Sequence, residues 1–327
     1  MKTNFKSIAI LFFGITTLVS CNKDDAPATP NAIFRPSTGE WYALRNESLQ
    51  NQLQEFTMNA QDGLAVFISD RGVTISIDGS CLTKNGNPVT GQVDIDFVEL
   101  FDKGHMLTTN KPTMGIMPDG NKNLLLSGGE FFIEATQGGV KLATTCNINL
   151  VVPTNLTDSA NTSGMLLWVG DDTDADNLAW KRADNPVGGQ GGVDAGGGNY
   201  YVSFGNFGWT NVDKFYSDPR PKTTILVDVP AGYDNTNSAV YLSYDGEGLN
   251  QLAKMDTYTP AGLFSEHYGQ IPVGLACHII FATEDNGQWR YAIKGVTTTA
   301  NAIYTFVDAE TVLGTEAQLI AAINAIQ

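Results

Sequence analysis

RGVTISIDGSCLTKNGNPVTGQVDIDFVELFDKGHMLTTNKPTM, Arg71 to Met114, and LLLSGGEFFIEATQGG, Leu124 to Gly139, decide the fold class. Val73, Ile75 and Ile77 alternate with Thr74 and Ser76, so the apolar set shares one face of a strand. Lys84-Asn85-Gly86-Asn87-Pro88 is a turn, because Asn-Gly takes the positive φ angles of a tight hairpin and Pro88 ends the pairing. Alternation resumes at Val93, Ile95 and Phe97, with Asp94 and Asp96 on the wet face. Leu124–Leu126 and Phe131–Ile133 read as short strands, and Ser127-Gly128-Gly129 as a bend or bulge between them. No helical periodicity of similar strength occurs in this stretch. The chain is expected to be mainly β.

The order GVTISI, NGNPVTGQVDI, NKPTM and LSGGEFFIEAT resembles a module of exported Bacteroidota proteins, itself similar to the β-sandwich domain of ankyrins and netrin receptors. The resemblance covers residues 63–152. It implies a sandwich fold and a bacterial taxon but no chemistry, since sandwiches carry many unrelated functions.

Upstream, residues 1–20 read as an export signal. Lys2 and Lys6 precede an apolar core, Ile8 to Val19, that is too short for an ordinary spanning helix. Leu18-Val19-Ser20-Cys21 resembles a bacterial lipobox, which implies Cys21 as the lipidation site after cleavage; the alternative is a plain signal peptide that happens to contain a cysteine. Several acyl chains such as palmitate, each methylene contributing about 0.8 kcal/mol, hold a protein stably to a membrane. Asn22-Lys23-Asp24-Asp25 resembles the acidic signal that sends Bacteroidota lipoproteins to the cell surface, and residues 21–32 form a polar tether. The expected address is the outer membrane, facing outward. Net charge is −16, and losing Lys2 and Lys6 with the signal makes it −18. Such acidity disfavours nucleic acid and anionic lipid as partners.

The body of the chain is expected to hold two consecutive β-sandwich-like domains, 33–184 and 200–327, joined by a glycine-rich loop or linker at 185–199. Leu49, Leu53 and Phe56 suit a short amphipathic helix within Glu47–Asn59 before the first domain. Tyr200–Phe204 and Phe207–Asp213 open the second domain; the latter resembles an aromatic Gly-Trp strand found downstream of the same module. Further strands fall at Thr224–Val229, Ala239–Tyr244, Ala276–Ala282, Trp289–Ile293 and Ile303–Phe306. Thr315 and Gln318 make a capping box for a C-terminal helix whose Leu319, Ile320, Ile323 and Ile326 form one stripe, expected to dock on a sheet.

Chemistry is sparse. Asp172, Asp174 and Asp176 have the alternating spacing of a calcium loop, but Asn177 and Ala183 stand where an EF-hand needs Gly and Glu. The alternatives are a solvated sandwich edge or a looser calcium site that adds Asp171. No cofactor is otherwise expected. Cys81, Cys146 and Cys277 lack metal-ligand spacing; Cys81 and Cys146 can bridge in an oxidising compartment, or all three can be small buried thiols. Neither a G-x-S-x-G elbow nor an H-E-x-x-H motif is present, and His105, His267 and His278 sit in no catalytic pattern. Catalysis is not expected. Trp168, Trp180, Trp209, Tyr200, Tyr201 and Phe207 cluster in sequence around the glycine run, as core filling or as binding platforms. The expected function is a non-catalytic, lipid-anchored accessory subunit that binds an outer-membrane protein. The alternative is a glycan-binding or adhesive lipoprotein, with Trp180 and Trp209 as the binding residues.

Overall fold

The alternating stretches at 73–77 and 93–98 become paired strands in a computed structural model. It describes residues 34–157, 162–171, 177–183, 192–266 and 268–326. The expected mainly-β class, with a short N-terminal and a C-terminal helix, is what forms. Three helices occur among the described residues: α1 (Thr38–Gln50), α2 (Lys103–Thr108) and α3 (Glu316–Asn324).

The first sandwich has two sheets. One runs from β1 (Gln54–Asn59) through the strands 92–100, 122–137, 208–215, 166–171 and 179–182 to 114–116. The other runs from β2 (Leu64–Ile68) through β3 (Thr74–Asp78), 148–153 and 199–204 to 192–196. Their facing sides enclose one core that includes Ile75, Ile95, Phe97, Phe131, Ile133, Leu150, Val202 and Val212. Asn85 and Gly86 take φ of 51° and 80°, as the hairpin reading requires. Cys81 and Cys146 are disulfide-bonded, stapling the end of β3 to the start of the 148–153 strand, while Cys277 is a buried free thiol.

In place of two strands separated at Ser127-Gly128-Gly129, Lys122–Gln137 is one 16-residue strand that bends there. Its far half pairs with 92–100 and its near half with 114–116, while 208–215 runs beside both. Because 114–116 also pairs in parallel with 179–182, five strands close into a ring: 122–137, 208–215, 166–171, 179–182 and 114–116. Leu125, Trp168, Leu178 and Trp180 form the core associated with it.

Strands 199–204 and 208–215 were expected to open the second domain, yet both pair within the first sandwich. Strand pairing therefore crosses the 185–199 segment, and part of it, Gly192–Gly196, is itself a strand. The second sandwich packs a sheet of 257–258, 264–265, 226–228 and 303–305 against one of 253–254, 238–244, 276–285, 288–297 and 312–314. Tyr233, Val240, Ile279, Phe281 and Phe306 lie in the core between them.

A third core joins the helices to the second sandwich. Trp41 and Leu44 of α1, Met106 and Leu107 of α2, and Leu319 and Ile323 of α3 pack on Tyr241, Ile280 and Trp289. Trp41 meets Trp289 edge-on at 5.4 Å. The first helix starts earlier than Glu47, because Ser37 and Glu40 form a capping box, and 54–59 is a strand paired with 92–100. α3 lies on α2 as well as on the 288–297 strand. Lys103, fully buried, donates to the Ile326 carbonyl at 2.8 Å and to Ser243 Oγ at 3.0 Å. Asn324 donates to Asp102 Oδ1 and accepts from the Gly104 N–H, both at 2.9 Å.

Two substitutions test this packing. Ala normally stabilises a helix over Gly by about 1 kcal/mol. A Cβ on Gly104 would nevertheless lie 2.9 Å from Asn324 Oδ1 and Ile320 Cγ2 and 3.0 Å from the Ile320 Cα. Gly104→Ala is expected to destabilise by about 1–3 kcal/mol in urea denaturation. Replacing Cys81 and Cys146 together by Ala opens a loop of sequence separation 65. That change should cost about 2–4 kcal/mol in the same assay.

Candidate binding surfaces

Several residues singled out from the sequence, namely Cys21, Asp172, Asp174, Asp176 and His267, lie outside the described residues. Asp171, the fourth acid of the looser calcium site, is engaged by Lys181 Nζ at 2.6 Å. Among the described residues no three His, Cys, Asp or Glu side chains converge as metal ligands.

Both described histidines serve single carboxylates. His105 Nδ1 is 2.7 Å from Asp102 Oδ2, and the Asp102 side chain also caps α2 through the His105 N–H. Burial would raise the Asp102 carboxyl, but His105 and Asn324 hold it down at about 2. His278 Nδ1 is 2.7 Å from Asp245 Oδ1.

The two tryptophans expected at a binding surface part company. Trp180 is fully buried and donates through Nε1 to the Pro112 carbonyl at 3.0 Å, so it belongs to the core. Its strand is one of the five that close the ring, and its side chain packs with Leu125, Trp168 and Leu178, which the sequence run Ala179–Arg182 could not reveal. Trp209 is half-buried, and of the five tryptophans it alone is not buried. Its ring stands 5.4 Å from Phe132 and 6.3 Å from Trp180, with Lys111 Nζ 5.1 Å from its centroid. Gly170 makes room for it, since a Cβ there would fall 2.7 Å from the Trp209 Cβ.

Trp209 walls a groove of about 760 Å³. Phe132, Leu167, Phe204 and Phe207 supply part of its apolar lining, and its polar part includes Glu134, Lys141, Lys181, Arg182 and Asn206. Lys141 Nζ binds Glu134 at 2.5 Å. On the other side of Trp209 a smaller cavity of about 220 Å³ is lined by Tyr42, Arg45, Lys111 and Leu178.

A second surface lies on the outer face of the other sheet. Leu64, Val66 and Ile68 of β2 are 65%, 57% and 69% exposed, and β2 is the edge strand. Ile68 pairs with Thr74, Thr74 with Val151, and Val151 with Tyr201, which is 48% exposed. This row crosses four strands without a charge before it reaches Asp194 beside Tyr201 on the fifth, and Leu64 pairs with Asp78. Sequence reasoning passed over β2; its signal is the unbroken apolar run LAVFI, which ordinarily marks a strand buried on both faces.

Two buried acidic groups complete the inventory. Both carboxyl oxygens of Glu130 and Oδ1 of Asp213 have no hydrogen-bond partner among the described residues. Burial pushes both carboxyls well above the usual range, and the Asp213 charge raises Glu130 further. Asp256 accepts from Lys122 (2.6 Å), Tyr268 (2.7 Å) and Asn177 (3.1 Å), tying the two sandwiches together. Beside it, burial raises Glu266 to about 7, helped by the Asp256 charge and opposed by the backbone N–H groups of Gln270, Tyr268 and Gly269.

No protein-family model matches the chain, and no curated protein is significantly similar to it.

Glu266 gives a pH test. Its folded pKa lies above the unfolded value of 4.5, so the fold binds the proton more tightly and loses stability as pH rises from 4.5 to about 7. Glu266 by itself should therefore contribute about 3 kcal/mol less stability at pH 8 than at pH 4. Glu266→Gln should remove that part of the slope in denaturant melts run at both pH values.

Proposed function

We propose that this chain is a non-catalytic, lipid-anchored accessory lipoprotein of a Bacteroidota-type outer membrane, exposed at the cell surface and held to a protein partner. Cys21 in its lipobox carries the anchor, and the acidic residues after it support the outward address. The observation that carries the partner is the exposed edge strand β2, with Leu64, Val66 and Ile68 turned to solvent and the uncharged row from Ile68 to Tyr201 beside it. An edge strand with an apolar outer face invites strand addition or sheet-face docking, and soluble proteins usually blunt such edges with charge. The partner this face fits presents an extended segment that is apolar where it meets Leu64, Val66 and Ile68. The resemblance across residues 63–152 supports the export reading independently of the surface.

Tagged protein should be recovered from native outer membrane in mild detergent with one stoichiometric outer-membrane partner, identified by mass spectrometry. The Val66→Lys/Ile68→Lys double variant changes only exposed side chains and should lose that partner while keeping the fold. Recovery of the wild type alone, or a partner retained by the variant, would sink the reading. Cys21→Ser should move the protein from the membrane to the soluble fraction.

A further inference from the structure

The structure assigns a second ligand site: we propose that the Trp209 groove binds a neutral saccharide chain. It rests on the reading of the chain as a binding protein but uses a different sheet from the β2 face.

A large aromatic side chain that could be buried, as the other four tryptophans are, is instead left half-open at the wall of a groove of about 760 Å³. That volume falls within the range of small-molecule sites. The ring is braced by Phe132 and the edge of Trp180, so it is presented in a fixed orientation, which lowers the ordering cost of a stacked ligand.

The polar lining selects the ligand class. A purely apolar molecule would strip water from Glu134, Lys141 and Lys181 without replacing their hydrogen bonds, which is costly. An anion would find the groove's cations already engaged: Lys141 by Glu134 at 2.5 Å, Lys181 by Asp171 at 2.6 Å, and Arg182 not free either. Paired side chains of this kind still offer spare donors and acceptors at fixed positions, as does the exposed Asn206 amide. A pyranose ring combines an apolar C–H face for Trp209 with a rim of hydroxyls that both donate and accept. Neutral sugar is the chemistry that satisfies both parts of the lining.

Intrinsic fluorescence reads this site directly, because Trp41, Trp168, Trp180 and Trp289 are buried and Trp209 is the tryptophan within reach of a ligand. The mature protein would be titrated with cellohexaose, chitohexaose and hexagalacturonate. A saturable emission shift is expected with at least one neutral hexasaccharide. Trp209→Ala should weaken binding, followed by calorimetry, by at least about tenfold, or roughly 1.4 kcal/mol. Asn206→Ala, an exposed change that leaves the aromatic wall intact, should weaken it severalfold with an unaltered melting curve. Val66→Lys should leave saccharide binding unchanged, which separates failure here from failure of the protein-partner reading. The proposal is overturned by no saturable shift with either neutral sugar, by a response to hexagalacturonate alone, or by binding that survives both groove substitutions.

Discussion

One strand has to serve two structures at once. Lys122–Gln137 pairs with 92–100 at one end as part of the first sandwich, and with 114–116 at the other end where the five-stranded ring closes. A straight strand could not do both, so the chain bends at Ser127-Gly128-Gly129. Gly129 sits at φ 132°, and a Cβ there would fall 2.6 Å from Phe101 and 2.7 Å from Phe131. A Cβ on Gly128 would come within 2.9 Å of the Tyr200 ring. The partner strand answers with a register shift between Asn211 and Asp213. The polar groups Ser127, Asn211 and Asp213 gather at this irregularity, where Ser127 donates to Asn211 and Asn211 to Asp213.

Closing the ring decides which aromatics face solvent. Trp168 and Trp180 turn inward and find carbonyl partners at Asp213 and Pro112, as buried indoles need. Trp209 lies on 208–215 before the bulge, paired with Phe132, and keeps part of its ring uncovered. Phe132 and Glu134 share its face of the neighbouring strand.

Much of this fold could be read from the sequence where the pattern was local. Alternation located β3, the 92–100 strand and most strands of the second half, Asn85-Gly86 gave its hairpin, and Thr315 with Gln318 gave the start of α3. What escaped depended on distant contacts. The spacing of Leu49, Leu53 and Phe56 suggested one helix, yet Phe56 belongs to β1 and α1 takes its start from Ser37. No helical periodicity marked Lys103–Thr108, and α2 is held in part by Asn324 and Ile326, more than 200 residues later. The glycine run suggested a boundary, whereas strands on both sides of it join one sandwich. For the candidate surfaces, Trp209 was visible as an aromatic in a glycine context, but its separation from Trp180 required the ring. The exposure of β2 could not be read from LAVFI at all, since composition there argues for burial.

Arg35 stands at the beginning of the described chain, and it is gripped from three sides. Its guanidinium makes paired bonds to Asp308 at 2.9 and 3.0 Å, donates to the Ala231 carbonyl, and lies 4.0 Å over the Tyr233 ring. Those contacts belong to the second sandwich, and α1 follows directly onto the same sheet through Trp41 and Trp289. Tension applied through the preceding residues would therefore be borne by the C-terminal half of the protein. The first sandwich, which carries both β2 and the Trp209 groove, meets that load only after α1 and through the Asp256 contacts between the sandwiches.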